Sequence, residues 1–258
     1  MPEGDTIYGA AQRIRKALVG KEIASIETPH PRHARDRWPE RLGGRAVRAV
    51  DSKGKHLFIR FDGDLTLHSH LRMNGWWGVY PRGRRWGRSP NRAWLVIRTA
   101  DHDVVQFGGP VLELMTDSRS RIDRRIAQLG PDIMAEEFDE QRFLKRLRED
   151  DPTRGIGDAL LDQRNLCGIG NVWKSEACFL AGLDPWRPVA DVSDDEALAA
   201  VRAVRPLMLR SGQGGGHARG RMVFERHGGP CRRCGTTIRA RGQGDDNRTT
   251  YWCPKCQA

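Results

Sequence analysis

The sequence predicts an α+β architecture: an amino-terminal helix, a β-sandwich or barrel, a helical region and a short cysteine-built tail. Three observations in the 258 residues predict it. Apolar residues recur with period two from residue 22 to 115, with turn signals between the runs. Past residue 117 the period becomes helical. The chain ends in two Cys-x-x-Cys pairs, Cys231/Cys234 and Cys253/Cys256, separated by 18 residues.

The elements follow in order. Asp5 is expected to cap a helix whose apolar face is Ile7, Ala10, Ala11, Ile14, Ala17 and Leu18, with Gly20 as its stop. Ile23/Ile26, Val47/Val50 and the alternation over 57–61 read as strands. Asp62-Gly63 joins the last of these to 65–71 as a hairpin, and Asn74-Gly75 marks a second turn. Residues 93–99 and 104–107 form another hairpin across 100–103. Between them, 81–92 holds five arginines, two glycines, Trp86 and Pro90, the composition of an exposed loop that either contacts phosphate or is simply solvated. Helices are expected over 138–150, 156–164 and 171–181, the last two separated by the glycine-containing segment 165–170. Ser193-Asp194-Asp195-Glu196 is a capping box opening a helix toward Arg210, with Pro206 a kink near its end. Five glycines over 212–220 read as a mobile linker. The expected domains are 1–116, 117–220 and 221–258.

Four thiolates at the tips of two tight turns can close a tetrahedral zinc site, and they leave no open position for water. Zinc bound by Cys231, Cys234, Cys253 and Cys256 is therefore structural, supplying stability that the Arg-, Gly- and Thr-rich tail lacks. Cys167 and Cys178 remain, and are expected to be small buried apolar residues in a reducing cytoplasmic compartment. Lys and Arg number 44 against 33 Asp and Glu, a net +11. From Val201 onward there are twelve basic and three acidic residues, so +9 of the +11 lies in the last 58 residues. That gradient is the footprint of nucleic-acid binding. Membrane attachment is not expected, because there is no apolar run of spanning length, no signal peptide and no lipidation pattern.

Most catalytic sets are missing: no nucleophile elbow, no P-loop and no His-Glu-x-x-His. His68 and His70 share one side of a strand without a third ligand, so packing or hydrogen-bonding roles are expected. The amino terminus is different. Removal of Met1 would expose Pro2 as a secondary amine with a pKa of about 8, a useful nucleophile near neutrality. Glu3 is next in sequence and close enough to move protons for it.

Met1-Pro2-Glu3-Gly4-Asp5-Thr6 occurs together with Gly54-Lys55-His56-Leu57, His70-Leu71-Arg72-Met73-Asn74-Gly75, Leu161-Asp162-Gln163, Gly168-Ile169-Gly170-Asn171 and Ser175-Glu176-Ala177. The end reads Gly229-Pro230-Cys231 and Arg248-Thr249-Thr250-Tyr251-Trp252-Cys253-Pro254. In that order the set resembles the formamidopyrimidine-DNA glycosylase/endonuclease VIII family of base-excision repair, nearly end to end. The resemblance implies a helix plus β-sandwich domain, then a helix-two-turn-helix domain with a zinc finger, acting on double-stranded damaged DNA as a monomer. It implies that Pro2 attacks the sugar, that Glu3 is the general acid/base, and that Lys55, expected on a strand, contacts phosphate. Asn171, at a helix start whose amides favour an anion, and Arg248 would hold phosphates. Met73, flanked by Arg72 and Asn74, would fill the gap left by a flipped-out base.

Departures from the family pattern refine this. Gly4-Asp5-Thr6 stands where a Pro-Glu pair is usual, leaving an acidic residue missing or shifted to Asp5. The Arg-x-Phe pair of the purine-specific branch is not found near 107–115. Gly4, the short linker near 212–220 and the missing pair all tilt toward the endonuclease VIII branch and oxidised pyrimidines. The competing readings are an 8-oxoguanine glycosylase of the same fold and a non-catalytic damaged-DNA-binding protein, the latter if Met1 stays on.

Overall fold

A computed structural model describes residues 2–215 and 221–257. Packing divides the chain into two units. Thr6–Ala127 form the first with Pro2; Glu3–Asp5 group with the segment from Gln128 onward in the second.

Helix α1 (Gly4–Leu18) forms where the 3.6-residue period places it. Its six expected core positions, Ile7 to Leu18, are all buried, and Gly20 at φ 72° follows its end. Asp5 lies inside the first turn rather than at the cap. The strands are β1 (Ser25–Glu27), β2 (Val47–Lys53), β3 (His56–Phe61), β4 (Leu65–His70), β5 (Trp76–Pro81), β6 (Ala93–Arg98), β7 (His102–Phe107) and β8 (Val111–Thr116), with a short helix α2 (Trp38–Leu42) after β1. They make two antiparallel sheets, ordered β1-β6-β7-β5 and β2-β3-β4-β8. Val50, Leu57, Ile59, Phe61 and Leu67 from one sheet and Ile26, Trp77, Leu95, Ile97 and Val104 from the other fill one core with the α1 face. Each such side chain contributes about 1.5–3 kcal/mol by leaving water. The Asp62-Gly63 turn joins β3 to β4 as expected, with Gly63 at φ 74° and Asp64 at φ 61°. Asn74-Gly75 instead carries the chain from one sheet to the other, since β4 and β5 do not pair.

The arginine-rich segment 82–92 is not merely solvated. It folds back on the outer face of its own sheet, where Ala93, Val96, Val105 and Phe107 are buried against Tyr80 and Trp86. Trp86 Nε1 donates to Asp103 Oδ2 at 3.0 Å, and Arg82 and Arg98 lie 3.4 and 3.6 Å from Asp103 Oδ1.

Two short helices, α3 (Asp117–Ile122) and α4 (Arg124–Ala127), close the first unit. The second holds α5 (Glu140–Arg148), α6 (Ile156–Leu161), α7 (Asn171–Ala181), α8 (Asp194–Arg210) and the hairpin β9 (Arg239–Gln243) with β10 (Arg248–Trp252). The capping box of Ser193 and Glu196 is present, and α8 continues through Pro206. Helix α6 stops three residues short of expectation because the Asp162 carboxylate accepts from the Arg164 N–H at 2.9 Å, a local turn that competes with the helix. Ser211–Gly215 adds one wide turn to α8, ending where Gly214 takes φ 108°. The rest of the expected glycine-rich linker, 216–220, lies outside the described residues.

Arg154 holds the α6 region together. It donates to Asp158 at 2.6 Å, Asp150 at 2.9 Å and Asp162 at 3.1 Å, with only 23% of its side chain exposed. Burial raises the Asp162 carboxyl, but hydrogen bonds from Arg164 and Arg154 outweigh it and hold the group down at about 2. Arg154→Ala would remove the one cation that three partly buried carboxylates share, leaving Asp158 without it and Asp150 and Asp162 with fewer partners. It is expected to lower unfolding stability by about 3 kcal/mol in urea titrations at neutral pH.

Candidate active site and nucleic-acid interface

Glu3 is fully buried, and its carboxylate takes the start of α7. Oε2 accepts from the N–H groups of Gly170 at 3.0 Å and Trp173 at 3.3 Å, and Oε1 accepts from Val172 at 2.9 Å. A helix N-terminus offers unpaired N–H groups and a partial positive charge, which together favour a carboxylate. The glycines make this approach possible. A Cβ on Gly170 would stand 2.3 Å from Glu3 Cδ, and one on Gly4 would stand 2.8 Å from the Gly168 Cα. The Gly4 N–H in turn donates to the Gly168 carbonyl at 2.8 Å. Amides expected to hold a phosphate are thus taken by the protein's own acid. Asp5, the other acidic residue of the opening, accepts from the Ser211 hydroxyl at 2.6 Å.

Along α7, further side chains fix the zinc segment. Asn171 Nδ2 donates to the Thr249 carbonyl at 2.7 Å, which brings Asn171 beside Arg248, whose side chain is 44% exposed. One turn on, the Lys174 ammonium donates to Thr250 Oγ1, and Thr250 donates to Gln243 at 2.8 Å. Glu176 accepts from the N–H groups of Met222, Val223 and Phe224 at 2.8, 3.0 and 2.9 Å. Lys174 was not singled out by sequence. Burial pushes its amine down to about 8, against the opposing pull of Cys178, Asp158 and Glu3. That is a nucleophile's range, but Lys174 is fully buried and already donating, so no substrate atom reaches it.

The four Sγ atoms of Cys231, Cys234, Cys253 and Cys256 lie within 4.8 Å of one another, with Cys231–Cys256 at 4.0 Å and Cys234–Cys253 at 3.5 Å. Zn–S bonds of about 2.3 Å in a tetrahedron give sulfur separations close to these, so the donors fit zinc. Among the described residues no other group of His, Cys, Asp or Glu is so arranged. Burial pushes the remaining Cys178 thiol up to about 12, away from reactivity.

In the first unit, Lys55 lies at a hairpin tip rather than on a strand. Lys53 pairs with His56, so Gly54-Lys55 is a two-residue turn, and Gly54 supplies φ 57°. Burial, then the charges of Arg72 and Lys55, push His70 down to about 4. Burial, then His70 and His68, push His56 down to about 2. The histidines are hydrogen-bonding groups, as expected: His56 Nδ1 and His68 Nε2 are 2.8 Å apart, and His70 Nδ1 accepts from the Arg72 N–H at 3.1 Å. That last bond helps hold the turn of Arg72, Met73 and Asn74, in which Arg72 takes φ 49° and Met73 is 56% exposed.

The candidate residues therefore fall into clusters. Glu3, Asn171 and Arg248 converge around α7 and β10. Lys55 neighbours His70, which holds the Arg72–Met73–Asn74 turn. The four cysteines gather at the tail. Pro2 is half-buried and directly precedes Glu3.

Residues 1–120 match the formamidopyrimidine-DNA glycosylase N-terminal domain, 129–219 the H2TH domain of the same glycosylase, and 228–258 a zinc finger found in FPG and IleRS. The chain belongs to the formamidopyrimidine-DNA glycosylase/endonuclease VIII family. A probable endonuclease 8 2 of Streptomyces coelicolor is 42% identical, covering 100% of this chain and 94% of its own length. A DNA-(apurinic or apyrimidinic site) lyase of Mycolicibacterium smegmatis is 37% identical over 100% of this chain and 99% of its own. The fold superposes at a TM-score of 0.84, with 23% identity and both chains fully covered, on a Lactococcus lactis Fpg solved with DNA containing an abasic site. These names put the chain on the endonuclease VIII side of the family.

Gly170→Ala would force the Glu3 carboxylate off the α7 amides. Activity on a damaged duplex is expected to fall about 100-fold, the scale of a 1 Å misplacement, while zinc content by metal analysis stays unchanged.

Proposed function

We propose that this chain is a bifunctional DNA glycosylase/AP lyase of base-excision repair that removes oxidised pyrimidines from double-stranded DNA. The observation that carries this reading is the Glu3 carboxylate, buried and fixed by three helix amides directly after Pro2. A pure DNA binder has no need for an acid held next to its amino terminus. With Met1 removed, the Pro2 nitrogen attacks C1′ of the damaged nucleotide. The N-glycosyl bond breaks and the base leaves with a proton from solvent; the C1′–O4′ bond then opens as Glu3 relays the proton lost by the Pro2 nitrogen to O4′, leaving the ring-opened sugar joined to Pro2 as an iminium ion. The iminium acidifies the C2′ proton; its loss expels the 3′ phosphate (β-elimination). A second elimination expels the 5′ phosphate, leaving a nick flanked by phosphates.

Binding follows from charge and shape. Arg248, Asn171 and Lys55 contact phosphates, and Met73 with Arg72 and Asn74 fills the gap vacated by the flipped base. Zinc, held by the four cysteines, supplies structure to the hairpin that carries Arg248 and takes no part in the chemistry. Among the described residues no helix is long and apolar enough to cross a membrane. The enzyme acts as a monomer where the chromosome lies, in the cytoplasm.

The test is borohydride trapping on duplexes carrying an abasic site or 5,6-dihydrouracil. Trimmed protein is expected to give a covalent adduct. Trapping should rise with pH toward about 8 as the amine deprotonates, and be lost when Met1 is retained. Trimmed, zinc-loaded protein that binds the duplex without forming an adduct would leave only a damage-binding protein.

A further inference from the structure

The three large apolar side chains most exposed among the described residues are Met73 at 56%, Trp76 at 36% and Ile122 at 77%. A single exposed apolar residue needs no explanation. Here two of the three stand three residues apart, Met73 on the turn and Trp76 at the start of β5, and the second is an indole. Its neighbour Trp77 behaves as a core residue, 2% exposed with Nε1 donating to Ser69 Oγ at 3.2 Å. Strand alternation alone therefore sends Trp76 to the outer face, where it pairs with Phe107.

What surrounds Trp76 leaves it available. The turn packs backbone to backbone against the next one: a Cβ on Gly75 would stand 2.7 Å from the Gly108 carbonyl oxygen. Gly108-Gly109-Pro110 has no long side chain to lay over the indole. Arg88 Cζ lies 5.4 Å from the Trp76 ring, a cation–π contact. Arg88 belongs to the segment anchored by Trp86 on Asp103, Tyr80 and Phe107, which also presents the exposed Arg84 and Arg85. A flat ring backed by a guanidinium, near an exposed methionine and among arginines, matches the two chemistries of a nucleic-acid strand, stacked bases and phosphates.

We propose that Trp76, braced by Arg88, stacks on a base of the damaged duplex beside the gap that Met73 fills, and so contributes to discrimination of damaged from intact DNA. Trp76 is a specificity residue and Arg88 a positioning residue. The inference rests on the reading of Met73 given above.

The test compares wild type, Trp76→Ala, Trp76→Phe and Arg88→Ala on a duplex with a tetrahydrofuran abasic analogue opposite 2-aminopurine, and on the intact duplex. Stacking on one base is worth about 1–3 kcal/mol, so Trp76→Ala should weaken binding to the damaged duplex about 10-fold. Trp76→Phe should recover most of that, Arg88→Ala should fall between, and binding to intact duplex should stay within about twofold. Wild type should quench 2-aminopurine more than Trp76→Ala does. Equal losses on damaged and intact duplex, or a Trp76→Ala protein matching wild type in binding and quenching, would overturn the proposal. Borohydride trapping of wild type in the same preparation separates the two readings. An adduct with no effect of Trp76 sinks the stacking role alone, whereas no adduct sinks the glycosylase reading itself.

Discussion

The carboxylate of Glu3 is the constraint on which the second unit depends. Burying a charge is costly unless it is paired or fully hydrogen-bonded, and here three N–H groups and the positive end of α7 meet that need. Charge-assisted bonds of this kind are worth about 1.5–3 kcal/mol each, enough to fix the third residue of the chain in one place. The glycines at 4 and 170 follow directly, since a methyl group at either would collide with the backbone or the acid. The residue directly after Pro2 is thus held by the fold rather than left to a loose terminus.

Helix α7 extends the same device. Its first turn receives Glu3, while its own Glu176 collects three N–H groups of the segment leading to the zinc finger. Two buried carboxylates, each with three amides, thus sit on one eleven-residue helix. Lys174 and Asn171 add bonds to Thr250 and Thr249, on either side of which lie Arg248 and the second cysteine pair. The geometry around the acid and around Arg248 is therefore held by one element. At the far end of that hairpin the four thiolates are gathered in an arrangement that fits zinc.

Much of this was readable in the sequence because local rules decide it. The α1 face, the β3–β4 and β6–β7 hairpins, the capping box and the cysteine pairs each depend on residues close together in the chain. The parts that were not readable depend on partners far away. Lys55 looked like a strand residue until the Lys53–His56 pairing made Gly54-Lys55 a turn. Residues 81–92 read as an exposed loop, phosphate-binding or solvated, because nothing local reveals that Trp86 finds Asp103 and Phe107. The amides before α7 looked open to phosphate, and only the return of Glu3 across more than 160 residues closes them. Glu176 lies in a motif but has no role legible from sequence, and Lys174 carries no local signal; both gain roles only from tertiary partners.

The proposed nucleophile is the nitrogen of Pro2, the residue directly before the clamped Glu3. Peptide mapping by tandem mass spectrometry of the borohydride-reduced adduct tests it most directly. The account predicts the deoxyribose remnant on the amino-terminal proline of chains lacking Met1, with the lysines unmodified. A remnant on Lys55 or Lys174 would contradict it and move the nucleophile to a side chain.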